Sequence, residues 1–354
     1  GAGQDAYWTT KYLLSNTEHN IYLTVRPSTN NDNKNTDDFR NEDRVFWVNC
    51  DLCDSASIDN LIFSIKPNYF INFAALSFVA SSWEVPEYMF NVNAVGVIRI
   101  LESLRKLRPA CRFYQAGSSE EFGDVFYSPQ DEKHPPRARS IYGASKIAAR
   151  QICKVYRESY KMYVLSGWLF NHESDMGKRD ERFVSRKITR GVARIYHAIK
   201  NKQKFDPIEL GNLDSKRDWS HSLDFADGVW RMLNQENYNK NFPIPNNDYF
   251  LSNNLGINEL QKKWLSGNIK EYVLASGETY SIRTFIEKAF EVAGIEIKDE
   301  NPSRIEPATH ENGLQINYTY KNQPIVVVSR KFYRPAEVET LCGNADLIKK
   351  VLGW

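Results

Sequence analysis

The sequence predicts an α/β fold built on a doubly wound parallel β-sheet. Apolar runs of strand length alternate with longer segments of helical periodicity through the first half of the chain. These runs are nearly continuous rather than alternating, as expected for strands that helices cover on both faces. A glycine-rich turn also precedes the first helical segment. In such a sheet, ligands bind at the carboxyl ends of the strands.

Length and composition are those of an ordinary globular protein. The 354 residues suffice for one large domain or two medium ones, and the hydrophobic share of 42% can fill a core of that size. A formal net charge of +2 argues against nonspecific nucleic-acid binding through a basic field. No stretch approaches the roughly 20 apolar residues that span a bilayer. We therefore expect neither a nucleic-acid partner nor a membrane partner.

The cysteines and the N-terminus indicate a cytoplasmic location. The chain has five scattered cysteines, an odd number that suits a reducing compartment. Cys50 and Cys53 form a CxxC, but without a second pair we interpret it as packing at a strand end, and we expect no metal. The N-terminal residues do not have the pattern of a secretory signal.

The predicted elements follow one another in a regular order. Strands are predicted at residues 20–25, 45–50, 69–75, 111–116, 163–170 and 272–276. Helices are predicted at residues 7–14, 87–107, 142–160, 184–200, 223–235, 282–293 and 345–352. Two polar segments, 236–270 and 301–322, are expected to be surface segments, the first of them an insert. A dinucleotide-binding fold opens with an apolar strand before its glycine turn, so we expect an N-terminal piece to be missing here.

The predicted division is into two domains. Residues 1–170 are expected to form a Rossmann-type NADP-binding domain, with residues 207–235 packing back onto it. Residues 171–354 are expected to form a smaller, C-terminal substrate-binding domain for a nucleotide-sugar. The boundary rests on the change at Asn171 from a strand–helix pattern to loops and helices.

A cofactor site is predicted from the glycine turn and the ends of the next two strands. The turn at residues 1–6 (GAGQDA) leads into a helix whose N-terminus can meet a pyrophosphate. Arg26 ends the following strand, where an NAD enzyme has an acidic residue for the ribose 2′-hydroxyl. A guanidinium at that position suits the 2′-phosphate of NADP, and the alternative is a solvated surface arginine. Asp51 ends the next strand, where a carboxylate can meet the adenine.

The most specific signal is Tyr142, followed four residues later by Lys146. Residues four apart share one face of a helix, so the phenol and the ammonium can point into one site. The ammonium favours the phenolate, which lets a tyrosine act as a general base near neutral pH. Just upstream, Ser118 and Glu120 follow the strand at 111–116, at the sheet edge where ligands bind. The alternative for these two residues is a helix cap with a first-turn acid.

These motifs resemble those of the extended short-chain dehydrogenase/reductase superfamily. A closer resemblance, to its GDP-mannose 4,6-dehydratase family, comes from residues 115–120 (QAGSSE), 169–174 (LFNHES), 210–219 (LGNLDSKRDW) and 332–339 (FYRPAEVE). The resemblance runs from Gly3 to Trp354, and it is interrupted near 236–270 and 297–325. Ala6, Ser118, Leu76 and Phe78 depart from the family pattern, the last two beside the cofactor.

The resemblance implies an enzyme that converts GDP-mannose to GDP-4-keto-6-deoxymannose and water by internal hydride transfer through bound NADP. The implied catalytic residues are Ser118, Glu120, Tyr142 and Lys146. The implied cofactor contacts, besides Arg26, are Gly3, Gln4, Asp5, Asp51, Leu52, Phe73, Ala74, Ala75, Leu76, Ser77, Tyr88, Tyr142, Lys146, His172 and Arg179. The implied nucleotide-sugar contacts are Asn171, Arg186, Arg217, Arg334 and Glu337. The resemblance also implies a homodimer or homotetramer.

Three alternatives stay open. The same reaction could act on another GDP-sugar, such as a GDP-heptose. A C4 oxidase or epimerase would need Tyr142 and Lys146 but not Glu120. The chain could also be an inactive NADP-binding partner, although the presence of all four catalytic residue types argues against that.

Overall fold

The computed structural model describes residues 3–26, 35–176, 178–238, 269–301, 314–332, 338 and 340–354. The chain forms two compact units. The first unit consists of Gly1–Lys178, Trp219–Gly277 and Cys342–Trp354, and the second of Arg179–Asp218 and Glu278–Leu341. Which ligand each unit binds stays a prediction.

The helices and strands are numbered along the chain. The helices are α1 (Gln4–Asn16), α2 (Ser55–Ile65), α3 (Pro86–Phe90), α4 (Gly96–Leu107), α5 (Ile141–Tyr160), α6 (Val184–Lys200), α7 (Ser222–Leu233), α8 (Gln235–Tyr238), α9 (Ile282–Val292) and α10 (Asp346–Leu352). The strands are β1 (Ile21–Val25), β2 (Val45–Asn49), β3 (Tyr69–Asn72), β4 (Arg112–Ala116), β5 (Val164–Leu169), β6 (Asn171–Glu173), β7 (Ile208–Leu210), β8 (Lys216–His221), β9 (Val273–Leu274), β10 (Thr279–Ser281), β11 (Lys298–Asp299), β12 (Leu314–Tyr320), β13 (Gln323–Ser329) and β14 (Thr340–Leu341).

The predicted α/β class with parallel strands is confirmed. The first five predicted strands correspond to β1 through β5, and the predicted strand at 272–276 contains β9. In the first unit, β1 pairs with β2 in parallel. A second sheet has the order β3-β4-β5-β9, and all of its pairs are parallel. The carboxyl ends of β3, β4 and β5 therefore lie along one edge of this sheet.

The parallel strands of the first unit lie in two sheets rather than one. Among the described residues, β1 and β3 are end strands of their respective sheets. A cavity of about 750 Å³ lies between them, and residues of both strands line it together with residues of α1 and α2. The end of this cavity at the carboxyl ends of the strands is where the predicted cofactor residues lie.

The helix predicted at 87–107 is interrupted by a π-helical turn. The structure has α3, then a π-helical segment at Asn91–Val95, and then α4. Asn93 in this turn is buried, and its side chain bonds the backbone N–H of Leu76 at 2.8 Å and the hydroxyl of Ser145 at 3.1 Å. The turn thus connects the segment after β3 to α5, and such turns are frequent at functional sites.

The second unit contains two small sheets. One has the order β11-β12-β13-β7, and the other joins β10 and β14 to residues 216–218 of β8. The prediction of a polar surface segment at 301–322 is wrong for residues 314–320, which form β12 and pair antiparallel with β13. Their alternation of apolar and polar side chains (LQINYTY) is typical of a strand with one face in the core. Residues 239–268 of the predicted insert lie outside the described residues.

One core of the first unit lies between α2, α4, α5 and β4. It is built from fully buried side chains of these elements, including Ile58, Ile62, Ile100, Leu104 and Phe113. Cys50 belongs to the same cluster, as expected for packing at a strand end, and all five cysteines are free. Within the described part of the chain, no helix combines the length and apolarity needed to cross a bilayer.

We predict that Ile100→Ala lowers the free energy of unfolding by about 2–5 kcal/mol, because it leaves a cavity in this core. Ile98, on the same helix but 38% exposed, is the matched control. Ile98→Ala is expected to change stability by less than about 0.5 kcal/mol. Urea unfolding of both variants measures the difference, and equal losses would contradict this description of the core.

Candidate active site

A short capped turn follows β4 and carries Ser118 and Glu120. Residues Ser119–Glu121 form one 3₁₀ turn, and the Ser118 hydroxyl accepts the backbone N–H of Glu120 at 3.2 Å. The carboxylate of Glu121 accepts the backbone N–H of Ser118 at 2.8 Å, which completes a capping box. Ser118 is therefore a cap, but the acid of the box is Glu121 rather than Glu120.

Helix α5 carries Tyr142 and Lys146 on one face. Ser140 caps its N-terminus by accepting the N–H of Gly143 at 3.1 Å, which places Tyr142 in the first turn. Lys146 is buried, donates from Nζ to the carbonyl of Ala116 at 2.8 Å and lies 5.7 Å from the centre of the Tyr142 ring. Burial disfavours the charged ammonium and lowers the pKa of Lys146 to about 8.

The turn after β4 packs directly on the first turn of α5. A Cβ added at Gly143 would lie 2.6 Å from the carbonyl oxygen of Glu120, so only glycine permits this approach. Ser118 and Tyr142 are both buried, and Lys146 reaches the end of β4. The structure thus brings together all four residues that the sequence predicts to be catalytic.

The surroundings of Tyr142 are largely apolar. Tyr142 packs in a buried cluster with Val79 and Met89, and Leu76 lies against the same cluster. The hydroxyl of Ser82 accepts the backbone N–H of Tyr142 at 3.1 Å and fixes the start of the helix. The departure of Leu76 from the family pattern therefore adds apolar surface beside the predicted base.

Half of the predicted cofactor residues line the cavity between β1 and β3. This group comprises Arg26, Asp51, Leu52, Phe73, Ala74, Ala75, Leu76 and Tyr88. Asp51 accepts the backbone N–H of Cys53 at 2.9 Å, which orients its carboxylate at the end of β2. Ser77 is exposed and does not belong to this lining.

The glycine turn is held by His172. The His172 ring lies 2.9 Å from Asp5 through Nε2 and 2.7 Å from the Phe170 carbonyl through Nδ1. Gln4 is buried and donates to the backbone carbonyl of His172 at 3.0 Å. Gly3 is exposed at the start of α1. His172 thus acts on the first turn of α1 through both its ring and its backbone.

The remaining predicted ligand residues are distributed over both units. Asn171 begins β6 in the first unit and pairs with Trp219. In the second unit, Arg186 is half-buried on α6, and Arg217 is buried in β8, where it donates to the Lys216 carbonyl at 2.8 Å. The Arg179 guanidinium lies 4.0 Å from the centre of the Phe183 ring. Arg334 and Glu337 lie outside the described residues.

Sequence reasoning missed the buried polar residues that hold these elements together. They are Ser82, Asn93, Glu121, Arg150 and Glu271. One signal was available, since Arg150 lies four residues after Lys146 and continues the Tyr142–Lys146 face of α5. The partners of these residues are distant in sequence and could not be read from spacing.

The comparisons with known proteins identify the family of the chain. A family model described as GDP-mannose 4,6 dehydratase matches residues 1–252 and 257–354. The GDP-mannose 4,6 dehydratase of Drosophila melanogaster is 37% identical, and the match covers 86% of this chain and 66% of the fly protein. The GDP-mannose 4,6-dehydratase of Sinorhizobium fredii is 36% identical over 88% of this chain and 77% of that protein.

Among solved structures, a dTDP-glucose 4,6-dehydratase of Bacillus anthracis in complex with NAD has the same fold. It superposes with a TM-score of 0.69 at 15% identity, over 100% of this chain and 88% of that one. This identity is too low to carry more than the fold, whereas the family model matches almost the whole chain. The chain therefore belongs to the GDP-mannose 4,6-dehydratase family of nucleotide-sugar dehydratases.

Proposed function

We propose that the protein converts GDP-mannose to GDP-4-keto-6-deoxymannose and water. The observation that carries this proposal is the close packing of the Ser118–Glu121 turn on the first turn of α5. This packing brings the backbone of the turn that carries Glu120 against the helix that carries Tyr142 and Lys146, which supports a role for Glu120 beside that pair. An oxidation at C4 needs only that pair, whereas loss of water also needs a group that moves protons at C5 and C6.

The residues present fit an NADP cofactor in the first unit. Arg26 lines the same cavity end as Asp51 and the segment 73–76, and a guanidinium fork matches a phosphate. The N-terminus of α1 presents backbone N–H groups and the positive end of the helix dipole, which suit a pyrophosphate. The proposed cofactor-binding residues are Gly3, Gln4, Asp5, Arg26, Asp51, Leu52, Phe73, Ala74, Ala75, Leu76, Ser77, Tyr88, Tyr142, Lys146, His172 and Arg179. When bound, the nicotinamide accepts a hydride from C4 of the sugar and returns it to C6.

The protein's own residues move the protons. The Lys146 ammonium stabilises the phenolate of Tyr142, which takes the proton of the 4-hydroxyl and becomes the neutral phenol. The new 4-ketone acidifies C5, and Glu120 removes the C5 proton. Glu120 then gives a proton to the 6-hydroxyl, which leaves as water, while the Ser118 hydroxyl hydrogen-bonds nearby. C5 regains one proton when the hydride reaches C6. The proton that Tyr142 took from the 4-hydroxyl balances this proton when Tyr142 returns to the phenolate, and the C4 ketone persists in the product.

The nucleotide-sugar is proposed to bind through Asn171, Arg186, Arg217, Arg334 and Glu337. Guanidinium groups suit a pyrophosphate because their forks form paired hydrogen bonds with phosphate oxygens. For the whole molecule we propose a homodimer or homotetramer in the cytoplasm, and the free state of all five cysteines suits a reducing compartment. A single monomeric species in sedimentation at micromolar concentration would contradict the proposed assembly.

The function is tested by mass spectrometry of the product together with Glu120→Gln. The wild-type protein is expected to remove one water from GDP-mannose, and a GDP-heptose assayed in parallel tests the alternative substrate. Glu120→Gln keeps the size of the side chain but cannot exchange the proton, so product formation should fall about 10²–10⁴-fold while some reduced cofactor accumulates. Glu158→Gln, an exposed change on α5, is the control. Undiminished product from Glu120→Gln would remove Glu120 from the mechanism.

Cofactor selectivity is tested with Arg26→Ala. Loss of a charge-assisted pair to the 2′-phosphate should weaken NADP binding by about 10- to 100-fold and leave NAD binding nearly unchanged. Arg40→Ala removes another exposed arginine of the same unit and serves as the control. Affinities for both cofactors are measured by titration. If Arg26→Ala keeps the wild-type preference, Arg26 is only a surface arginine.

The pH dependence of kcat/KM is expected to reflect the titration of Lys146. Its pKa of about 8 lies below its ordinary value, so the ammonium loses its proton as the pH rises through this value. The phenolate of Tyr142 is then less stabilised, and kcat/KM should fall on the alkaline side with an apparent pKa near 8. Lys146→Arg keeps a cation at all these pH values and should flatten that limb, although its overall rate will be lower. An unchanged alkaline limb in Lys146→Arg would assign the titration to another group.

A further inference from the structure

A network of four charged side chains, with a buried pair at its centre and two half-buried members, lies behind the predicted catalytic turn. Its members are Glu121, Arg150, Arg157 and Glu271, and we call it the Arg150 network. The side chain of Arg150 is 8% exposed and that of Glu121 only 1%. The network contains two carboxylates and two guanidinium groups, so its formal charge is balanced. Nothing in the chemistry of the preceding section uses it.

The guanidinium of Arg150 forms two hydrogen bonds with the carboxylate of Glu121. Its Nε donates to Oε2 of Glu121 at 2.6 Å, and its Nη2 donates to Oε1 at 3.2 Å. Its Nη1 donates to the Ser166 carbonyl at 2.7 Å and to Glu271 at 2.9 Å. The guanidinium also lies 3.5 Å from the centre of the Trp168 ring. Arg150 is thus fixed on every side by β5 and by the two carboxylates.

The second carboxylate of the network completes its anchoring. Glu271 accepts Arg157 Nη1 at 2.8 Å and the backbone N–H of Ser166 at 3.1 Å, in addition to its bond with Arg150. Arg157 also donates to the Val164 carbonyl at 2.8 Å. Glu271 and Arg157 therefore connect the network to the backbone of β5.

Glu121 connects the network to the turn that carries Ser118 and Glu120. The oxygen of Glu121 that receives Arg150 Nη2 also accepts the backbone N–H of Ser118. A Cβ added at Gly117 would lie 2.5 Å from Arg150 and 2.6 Å from Glu121, so the chain leaves room for the pair only with glycine there. The turn that carries Glu120 is consequently enclosed between the network and α5.

The network and the Tyr142–Lys146 pair share one helix. Tyr142, Lys146 and Arg150 follow at intervals of four, so they lie along one face of α5. A buried ion pair by itself is a poor source of stability, because desolvation offsets most of its attraction. The Arg150–Glu121 pair instead fixes geometry, because a planar guanidinium with two hydrogen bonds determines the direction of its partner as well as the distance.

We propose that Arg150 is a positioning residue, which holds Glu120 in register with the Tyr142–Lys146 pair through its paired bonds to Glu121. The inference rests on the proposed function, because it assigns Glu120 the proton transfers at C5 and C6. Hydride transfer at C4 depends on groups of α5 itself. The network therefore controls the elimination step more strongly than the oxidation step.

The test uses Arg150→Lys in the full chain. Lysine keeps the charge but cannot form the fork, so we expect the protein to fold and the turn to loosen. Misplacement of a catalytic group by about 1 Å costs on the order of 100-fold, so kcat should fall about 10- to 100-fold with little change in KM for GDP-mannose. Reduced cofactor should accumulate, because the first step continues. The backbone N–H of Ser118 should exchange with deuterium faster than in the wild type.

Two further variants separate positioning from simple stabilisation. Glu121→Leu combined with Arg150→Met removes both charges together and leaves Glu271 paired with Arg157, so no carboxylate is left without its cation. It should fold and show the same loss of kcat. Arg105→Lys alters an equivalent two-bond pair with Glu102 on α4, away from the site, and should leave turnover unchanged.

Wild-type kcat and wild-type exchange at Ser118 in Arg150→Lys and in the double variant would overturn the proposal, even if both variants melt at lower temperature. The exchange measurement needs no substrate. If the wild-type protein does not act on GDP-mannose, the proposed function fails, while the exchange at Ser118 still decides whether Arg150 holds the turn.

Discussion

The active site depends on one close backbone contact, between the turn that ends β4 and the first turn of α5. Gly143 allows the carbonyl of Glu120 to lie against the helix where any side chain would collide. This contact brings Glu120 next to Tyr142, although residues 122–140 separate the two elements. Lys146 also contacts this junction, because its Nζ donates a hydrogen bond to the carbonyl of Ala116, the last residue of β4. The residues that we propose for oxidation and for elimination thereby lie close together.

Burial gives these groups their chemical character. Burial destabilises the positive charge of Lys146. That charge nevertheless strengthens its hydrogen bond to the Ala116 carbonyl and favours the phenolate of the neighbouring Tyr142. Glu121 and Arg150 place a balanced ion pair in the same interior. Removing either member alone would leave a charge with no water to solvate it. The polar groups around the site therefore depend on one another.

The cofactor side of the first unit is organised by strand ends and by the π-helical turn. The predicted cofactor residues that line the cavity, apart from Tyr88, follow the carboxyl ends of β1, β2 and β3. Asn93 bonds both the segment after β3 and Ser145 on α5, so it links the predicted cofactor-binding segment to the helix that carries Tyr142. His172 joins β6 to the glycine turn in a comparable way. These links are side-chain bonds between elements distant in sequence.

The sequence alone determined the α/β class, the first five strands and the four residues that meet at the site, because apolar periodicity and the Tyr142–Lys146 spacing are local signals. It also carried the alternating pattern of β12, which we misread as a polar surface segment. Only the tertiary structure decided which acid closes the cap at Ser118, where α3 and α4 are separated by a π-turn, and that Arg150 reaches Glu121. Arg150, for example, contacts Glu121 and Glu271, which lie 29 and 121 residues away along the chain, and no pattern within a single element encodes such contacts.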